Sequence, residues 1–379
     1  MEAGKDPPPD FITDFTNSTN STNLTLFWSE EPIEAKGFFS IPHPIIALMY
    51  IMYIAITLAA VGGNSIVCYI VIAYQRMRTV TNFFIVNLAV GDITMAILCI
   101  PFTFVANFVT MYWPFGSIMC PIVTYAQAVS VFISAYTLVA ISIDRYIAIL
   151  YPLRPRMTKL QAKVIILLIW VVSLVTPLPT AILSRLIPLP NMTVYTCAED
   201  WESPIQRYYY SMTLMVLQYF FPLFVLIFTY TKIAVVVWGK TAPGEAEDGR
   251  DQRLAASKRK MIKMMIACVT AFTLSWLPFN VLHVVGDQHP GIYTYAHIIY
   301  IWFICHWLAM SHACLNPLIY WWMNSKFRAG FHYVCRCLPW MNPIPDHSEL
   351  LSRTTIHQRL TTNTTALIAA APIKPMHDT

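Results

Sequence analysis

Charge is what this chain has least of. Asp, Glu, Lys and Arg make up 12% of its 379 residues against 56% hydrophobic ones, and the mean hydropathy is +0.53; that balance excludes a soluble domain of ordinary composition. No segment alternates apolar and polar residues over the roughly 10 positions of a barrel strand, which excludes a transmembrane β-barrel. There is no H-E-x-x-H and no Cys/His cluster, and His306 and His312, six residues apart, fall on different helix faces, so a membrane metalloenzyme lacks its ligands. No internal repeat divides the chain into halves, which argues against a secondary transporter. Residues 1–40 have no apolar core of the kind found in a cleaved signal peptide, so the first apolar segment is expected to act as the insertion signal. No enzyme activity, cofactor, metal or nucleic-acid partner is expected.

What the chain does have is seven long apolar runs, at about 45–74, 81–109, 119–150, 163–184, 208–238, 261–286 and 293–323. Each holds roughly 20 or more residues, enough to cross ~30 Å of hydrocarbon as an α-helix. The basic stretch "RDQRLAASKRKMIKMM" extends the sixth helix inward to about 253. The expected fold is an all-α membrane bundle over 45–323. Residues 1–44, rich in Asn, Thr, Pro and acids, are expected to be a disordered, glycosylated outer segment. Residues 324–338 should form a short amphipathic helix and 339–379 a regulatory tail.

Orientation follows from the bases. Of 25 Lys and Arg, only Lys5, Lys36, Arg185 and Arg207 fall on the amino-terminal side of the membrane, so that side is outside by the positive-inside rule. Asn17, Asn20, Asn23 and Asn191 begin N-x-Ser/Thr sequons on the same side. The outer segments carry eleven acids against four bases, a net −7, which favours basic solutes; a merely solvated acidic tail is the other reading of residues 1–34. Two of the nine cysteines, Cys120 and Cys197, fall in oxidising outer space, where a disulfide would pin the second outer loop over the bundle. Cys335 and Cys337 follow the amphipathic "SKFRAGFHYV" in a place suited to S-palmitoylation.

The stretch "ISIDRYIAIL" places Asp144 and Arg145 side by side in an apolar run, about 25 residues below Cys120 and so roughly 37 Å along the helix, near the inner surface. An adjacent carboxylate makes such a cation tolerable. Polar residues within the membrane mark function by default, and Thr103, Gln127, Gln218, Asn280, His283 and His306 lie in the outer third, with Asp287 above them. A carboxylate for a small amine is missing; Gln127 instead offers an amide that both donates and accepts.

With "GGNSIV", "NLAVGD", "DRY", Trp170, Pro222, "SWLPF" and "NPLIY" each in its own apolar run, the chain resembles the rhodopsin-like family of G-protein-coupled receptors. The resemblance implies an activation switch built from Asp92, Asp144, Arg145, Tyr146, Trp276, Pro278, Asn316, Pro317 and Tyr320, with Arg145 freed when the sixth helix swings out and a heterotrimeric G protein enters. It implies a plasma-membrane location with the amino terminus outside, contact with membrane lipids, and a receptor kinase and arrestin acting on a tail rich in Ser and Thr. The sequence departs from the family at Lys258, where some members carry an acid that holds Arg145, and at His312, Ser275 and Ala135.

Within the family, the polar set is similar to that of neuropeptide Y receptors and of invertebrate receptors for peptides ending in Arg-Tyr-amide or Arg-Phe-amide. That likeness implies that Thr103, Gln127 and His306 surround the ligand's terminal amide, that Gln218 lines the wall and that Asp287 pairs with the ligand's arginine. His283 departs from the asparagine usual one turn below that acid. "TAPGEAEDGRDQRLAASKRKMIKMM", "HWLAMSHACLNPLIY" and "YTCAEDW" resemble segments of the arthropod RYamide receptors and of tachykinin receptors. An amidated neuropeptide is therefore the expected ligand, with tachykinin-like and leucokinin-like peptides as alternatives.

Overall fold

The computed structural model describes residues 41–189, 192–239, 249–295 and 297–335. Asn17, Asn20, Asn23, Asn191, Cys337 and the tail lie outside the described residues, as does the side chain of Lys258. Among the described residues seven helices are long and apolar enough to cross a membrane: His43–Ala73, Val80–Val109, Gly116–Leu150, Lys159–Leu183, Pro204–Trp238, Arg259–Gln288 and Ile298–Met323, the first to seventh helices below. The sixth is part of a longer helix, Gly249–Gln288, and an eighth short helix, Ser325–Val334, follows the seventh. The all-helical bundle is the one expected from the apolar runs, and the short terminal helix the one expected from the amphipathic stretch after them.

Local chemistry sets the helix ends. Thr158 starts the fourth helix with a capping box, its hydroxyl accepting from the Gln161 N–H while the Gln161 side chain accepts from the Thr158 N–H. Asn324 separates the seventh helix from the eighth, its side chain accepting from the Lys326 N–H at 3.0 Å. Between the fourth and fifth helices the chain forms an antiparallel hairpin, Ser184–Pro188 with Tyr195–Glu199, in which Leu186 faces Cys197.

Prolines shape the helix interiors. Proline cannot donate to the carbonyl four residues back and crowds it, so the ladder must widen or find another donor. The second helix widens to π geometry over Met95–Cys99, spanning the carbonyl that Pro101 leaves, and the fifth does so over Val216–Phe220, ahead of Pro222. In the seventh helix Pro317 deprives the Ala313 carbonyl of its donor, and Asn64 of the first helix supplies one, its Nδ2 donating to Ala313 O at 2.8 Å and to Ala60 O at 2.9 Å. Gly63 lets the two helices come this close, because a Cβ there would lie 2.8 Å from Pro317 Cγ.

The third helix is the axis of the bundle. Val129 to Ala135 and Thr137 to Ser142 are all buried, as expected of a helix with neighbours on every side. Trp170 of the fourth helix donates to Asn87 Oδ1 at 2.8 Å, and Asn87 Nδ2 donates to Thr137 Oγ1 at 2.7 Å, tying the second, third and fourth helices together.

Replacing Asn64 with alanine orphans a carbonyl that hydrocarbon cannot hydrate. Asn64→Ala is expected to lower stability by about 1–2 kcal/mol, read as a lower midpoint of thermal denaturation in detergent; an unchanged midpoint would show that the Ala313 carbonyl has another donor.

Candidate ligand site and inner switch

The outer end is closed from above by the hairpin. Cys120, in the first turns of the third helix, is disulfide-bonded to Cys197 with their Cα atoms 5.6 Å apart. The Trp113 N–H donates to the Tyr195 carbonyl at 2.7 Å, joining the first outer loop to the same hairpin. Arg185 and Asp200, on facing strand ends, lie 3.6 Å apart and largely exposed, so their pairing contributes little to stability.

Below this lid, Gln127 and Asn280 are half-buried, and among the described residues their side chains make no hydrogen bond. Each keeps an amide donor and acceptor available. Gln218 lies within the π turn of the fifth helix, and its Nε2 donates to Ala128 O, beside Gln127, at 3.1 Å. Thr103 spends its hydroxyl on its own helix, donating to Cys99 O at 2.8 Å. His283 is exposed, with Nδ1 3.0 Å from Phe279 O and its ring 4.3 Å from that of Phe279.

His306 is set deeper, at 1% exposure. Its Nδ1 lies 2.6 Å from the Tyr53 hydroxyl, and its ring stacks on Trp302 at 4.7 Å and approaches Phe279 at 5.7 Å. Asp287, half-buried at the mouth, has Tyr293 of the third outer loop for company. Burial raises the Tyr293 phenol above its ordinary range, Asp287 adds to the rise and Arg207 opposes it, so acid and base both act on one hydroxyl. Tyr293 packs on Gly286, where a Cβ would lie 2.0 Å from its hydroxyl oxygen.

The structure therefore groups Gln127 with Gln218, His283 with His306 through Phe279, and Asp287 with Tyr293 and Arg207. Tyr53, Phe279, Trp302, Arg207 and Tyr293 belong to this region but were not legible in the sequence as site residues. A tyrosine or tryptophan in an apolar run carries no mark of which face it takes.

Trp276 forms the floor, its ring 6.1 Å from Phe279 above and 5.4 Å from His312 below, two residues before Pro278. Under it, the Asp92 carboxylate accepts from Asn316 Nδ2 at 2.9 Å and Ser134 Oγ at 3.3 Å. His312 Nε2 stands 3.6 Å from Oδ1, the oxygen that accepts from Ser134. Asn316 precedes Pro317, and Tyr320, one turn on, is buried and stacks on Phe327 of the eighth helix at 5.4 Å.

At the inner end Arg145 donates through Nε to Asp144 Oδ2 at 3.0 Å, and its Nη2 bonds both Asp144 and Thr81. Thr81 also donates to Asp144 at 3.3 Å. The guanidinium is thus held on the side of the second and third helices, and Asp144 has two donors. Tyr146 packs outward, 6.3 Å from Phe228. Among the described residues no group of three or more His, Cys, Asp or Glu could hold a metal ion.

Residues 63–320 match the family described as 7 transmembrane receptor (rhodopsin family). The chain is 51% identical over 300 residues to the RYamide receptor of Drosophila melanogaster, covering 77% of this chain and 64% of that one, so it spans less than two thirds of that relative. It is 48% identical over 321 residues to the RYamide receptor of Tribolium castaneum, covering 81% and 86%. Against the Substance-P receptor of Canis lupus familiaris the identity is 36% over 303 residues, covering 78% and 73%.

The disulfide is the covalent tie of the hairpin to the third helix, beside the Trp113 link, a Thr124–Ser184 hydrogen bond at 2.9 Å and the packing of Leu186 near Trp113 and Val123. Cys120→Ala or Cys197→Ala is expected to abolish ligand binding or surface delivery, measured by cell-surface binding and by antibody against an outer tag. Normal binding by either variant would show that the lid does not depend on the bond.

Proposed function

Because the chain belongs to the rhodopsin family of seven-transmembrane, G-protein-coupled receptors, we propose that it is a plasma-membrane receptor for an amidated neuropeptide ending in Arg-Tyr-amide or Arg-Phe-amide. The observation that carries this reading is the near-half identity to two proteins named RYamide receptor. The chemistry of the outer end supports it. Gln127 presents an unspent amide at the depth where a peptide's carboxamide would arrive, and a primary amide pairs with another in both directions. Asp287 stands at the mouth of a net-acidic outer face, where a guanidinium would be drawn in and paired.

In this reading the peptide enters amide end first. Gln127 and Gln218 meet the terminal amide, Trp302 and Phe279 flank the aromatic residue before it, and Asp287 takes the arginine. His306, buried behind Trp302 and hydrogen-bonded to Tyr53, supports that wall. The same proposal includes glycosylation at Asn17, Asn20, Asn23 and Asn191, palmitoylation at Cys335 or Cys337, and phosphorylation of the tail leading to arrestin. A tachykinin-like peptide is the second reading, favoured by the 36% identity to a Substance-P receptor.

On the effector side, Arg145→Ala is expected to leave surface expression and low-affinity peptide binding in place while eliminating G-protein activation. Nucleotide exchange on the G protein reads this, and full exchange by the variant would remove Arg145 from the mechanism.

On the ligand side, Asp287→Ala should weaken an Arg-containing amidated peptide by about 2–5 kcal/mol if the pair is desolvated and less at a wet rim. Removing the peptide's arginine should cost the wild type a similar amount and the variant little more, the non-additivity expected of direct contact. Gln127→Ala should nearly erase the advantage of the amidated peptide over its free acid. Additive losses at Asp287 together with an intact amide preference would reject the Arg-aromatic-amide reading and favour the tachykinin-like one.

A further inference from the structure

The inner half of the sixth helix reads "KMIKMM", and its methionines do more than fill space. Met261 Sδ accepts from Arg145 Nη1 at 3.6 Å, and Met264 Sδ accepts from Asn324 Nδ2 at 3.8 Å. Three apart, the two thioethers share one helix face. One reaches the third helix at its only arginine, and the other reaches the joint between the seventh and eighth helices. This half of the helix also reaches Val237 O through Arg259 at 3.5 Å, at an exposed position, and meets Tyr320 through the Cys268 thiol.

A thioether is a weak, polarisable acceptor. A carboxylate in the same place would make a charge-assisted bond to Arg145, but the residue one turn earlier is Lys258 and the guanidinium already has Asp144 and Thr81 as partners. The sulfur therefore holds the sixth helix to Arg145 without neutralising it. Arg145 is 18% exposed, so little else separates it from the inner surface.

We propose that Met261 and Met264 form a two-point thioether latch that holds the sixth helix over Arg145 and against Asn324 in the resting receptor, with Met261 acting as a positioning residue for Arg145. Because each link is weak, the closed state leads the open one by a small margin, and a modest difference in ligand affinity between the two is enough to open the inner end. This holds whichever peptide is the ligand.

Ordinary core packing makes the opposite prediction for the same substitutions. Leucine matches methionine in volume and lacks the acceptor; glutamine matches its length and carries a stronger acceptor, but is a poor core residue. The test uses the full-length receptor in membranes and measures nucleotide exchange on the G protein with no peptide added, per receptor at the surface. Met261→Leu and Met264→Leu are each expected to raise this basal exchange about threefold, as loss of one weak hydrogen bond predicts. Met261→Gln, introduced into the Met264→Leu background so that a decrease is measurable, is expected to lower it. Leucine variants with unchanged basal exchange would overturn the latch, and so would a glutamine variant that raises exchange as leucine does. If Met264→Leu fails to reach the surface, Met261→Leu against Met261→Gln, at the half-buried position, decides the matter in the wild-type background.

Discussion

Inside hydrocarbon a backbone carbonyl has no water to turn to, and a proline in the interior of a spanning helix creates one that must be met by protein. The bundle is arranged around how those carbonyls are met. Ahead of Pro101 and Pro222 the helix itself widens, which rotates the residues beyond it and sets Gln218 beside the third helix. At Pro317 the ladder is instead completed from outside by Asn64, and that bond requires the first and seventh helices to touch at Gly63. Asn316, the residue before that proline, reaches across to Asp92 of the second helix. One backbone defect thus draws three helices to a common point.

The energetics of that point differ from those at either end. Asp92, Asn316 and Ser134 are buried together, and with no water to compete their hydrogen bonds count for more than they would at a surface, while leaving any one of them unpaired costs more. The outer face holds Arg185 and Asp200 in solvent, where salt and water screen them. Losing a partner is therefore costliest in the middle of the bundle, and the exposed outer pair contributes little.

The seven-helix architecture was legible in the sequence because it rests on run length and composition, which survive without any knowledge of packing. The outer disulfide was legible because topology left two cysteines in oxidising space. The hairpin Ser184–Pro188 with Tyr195–Glu199 was not, since its strands are held by a lid contact and a disulfide rather than by an alternating pattern. The polar members of the candidate site stood out because Gln127 or Asp287 is costly in an apolar setting. Tyr53, Phe279 and Trp302 did not, because an aromatic residue facing lipid and one facing the bundle interior look alike in a run of apolar residues. Thr103 turns its hydroxyl back on Cys99 O, as Thr57, Thr124 and Thr229 do on the carbonyls four residues before them, the ordinary habit of a threonine inside a helix.

Between the buried middle and the outer end stands a series of rings, from His283 through Phe279 and Trp276 to His312, with neighbouring centroids 4.3 to 6.1 Å apart. Aromatic contacts of this kind are worth little individually and depend strongly on angle, so such a series tolerates rearrangement that a hydrogen-bonded one would resist. Its lower end is less forgiving. His312 Nδ1 lies 2.7 Å from Ala309 O, a separation that requires the nitrogen to donate, and the opposite nitrogen is buried without a hydrogen bond, 3.6 Å from Asp92. That bond ties the ring to its own helix, with Trp276 on one side and Asp92 on the other. Angle-dependent ring contacts above and a ring tied to its helix below thus join the candidate site to the polar cluster at Asp92 through side chains that touch in sequence.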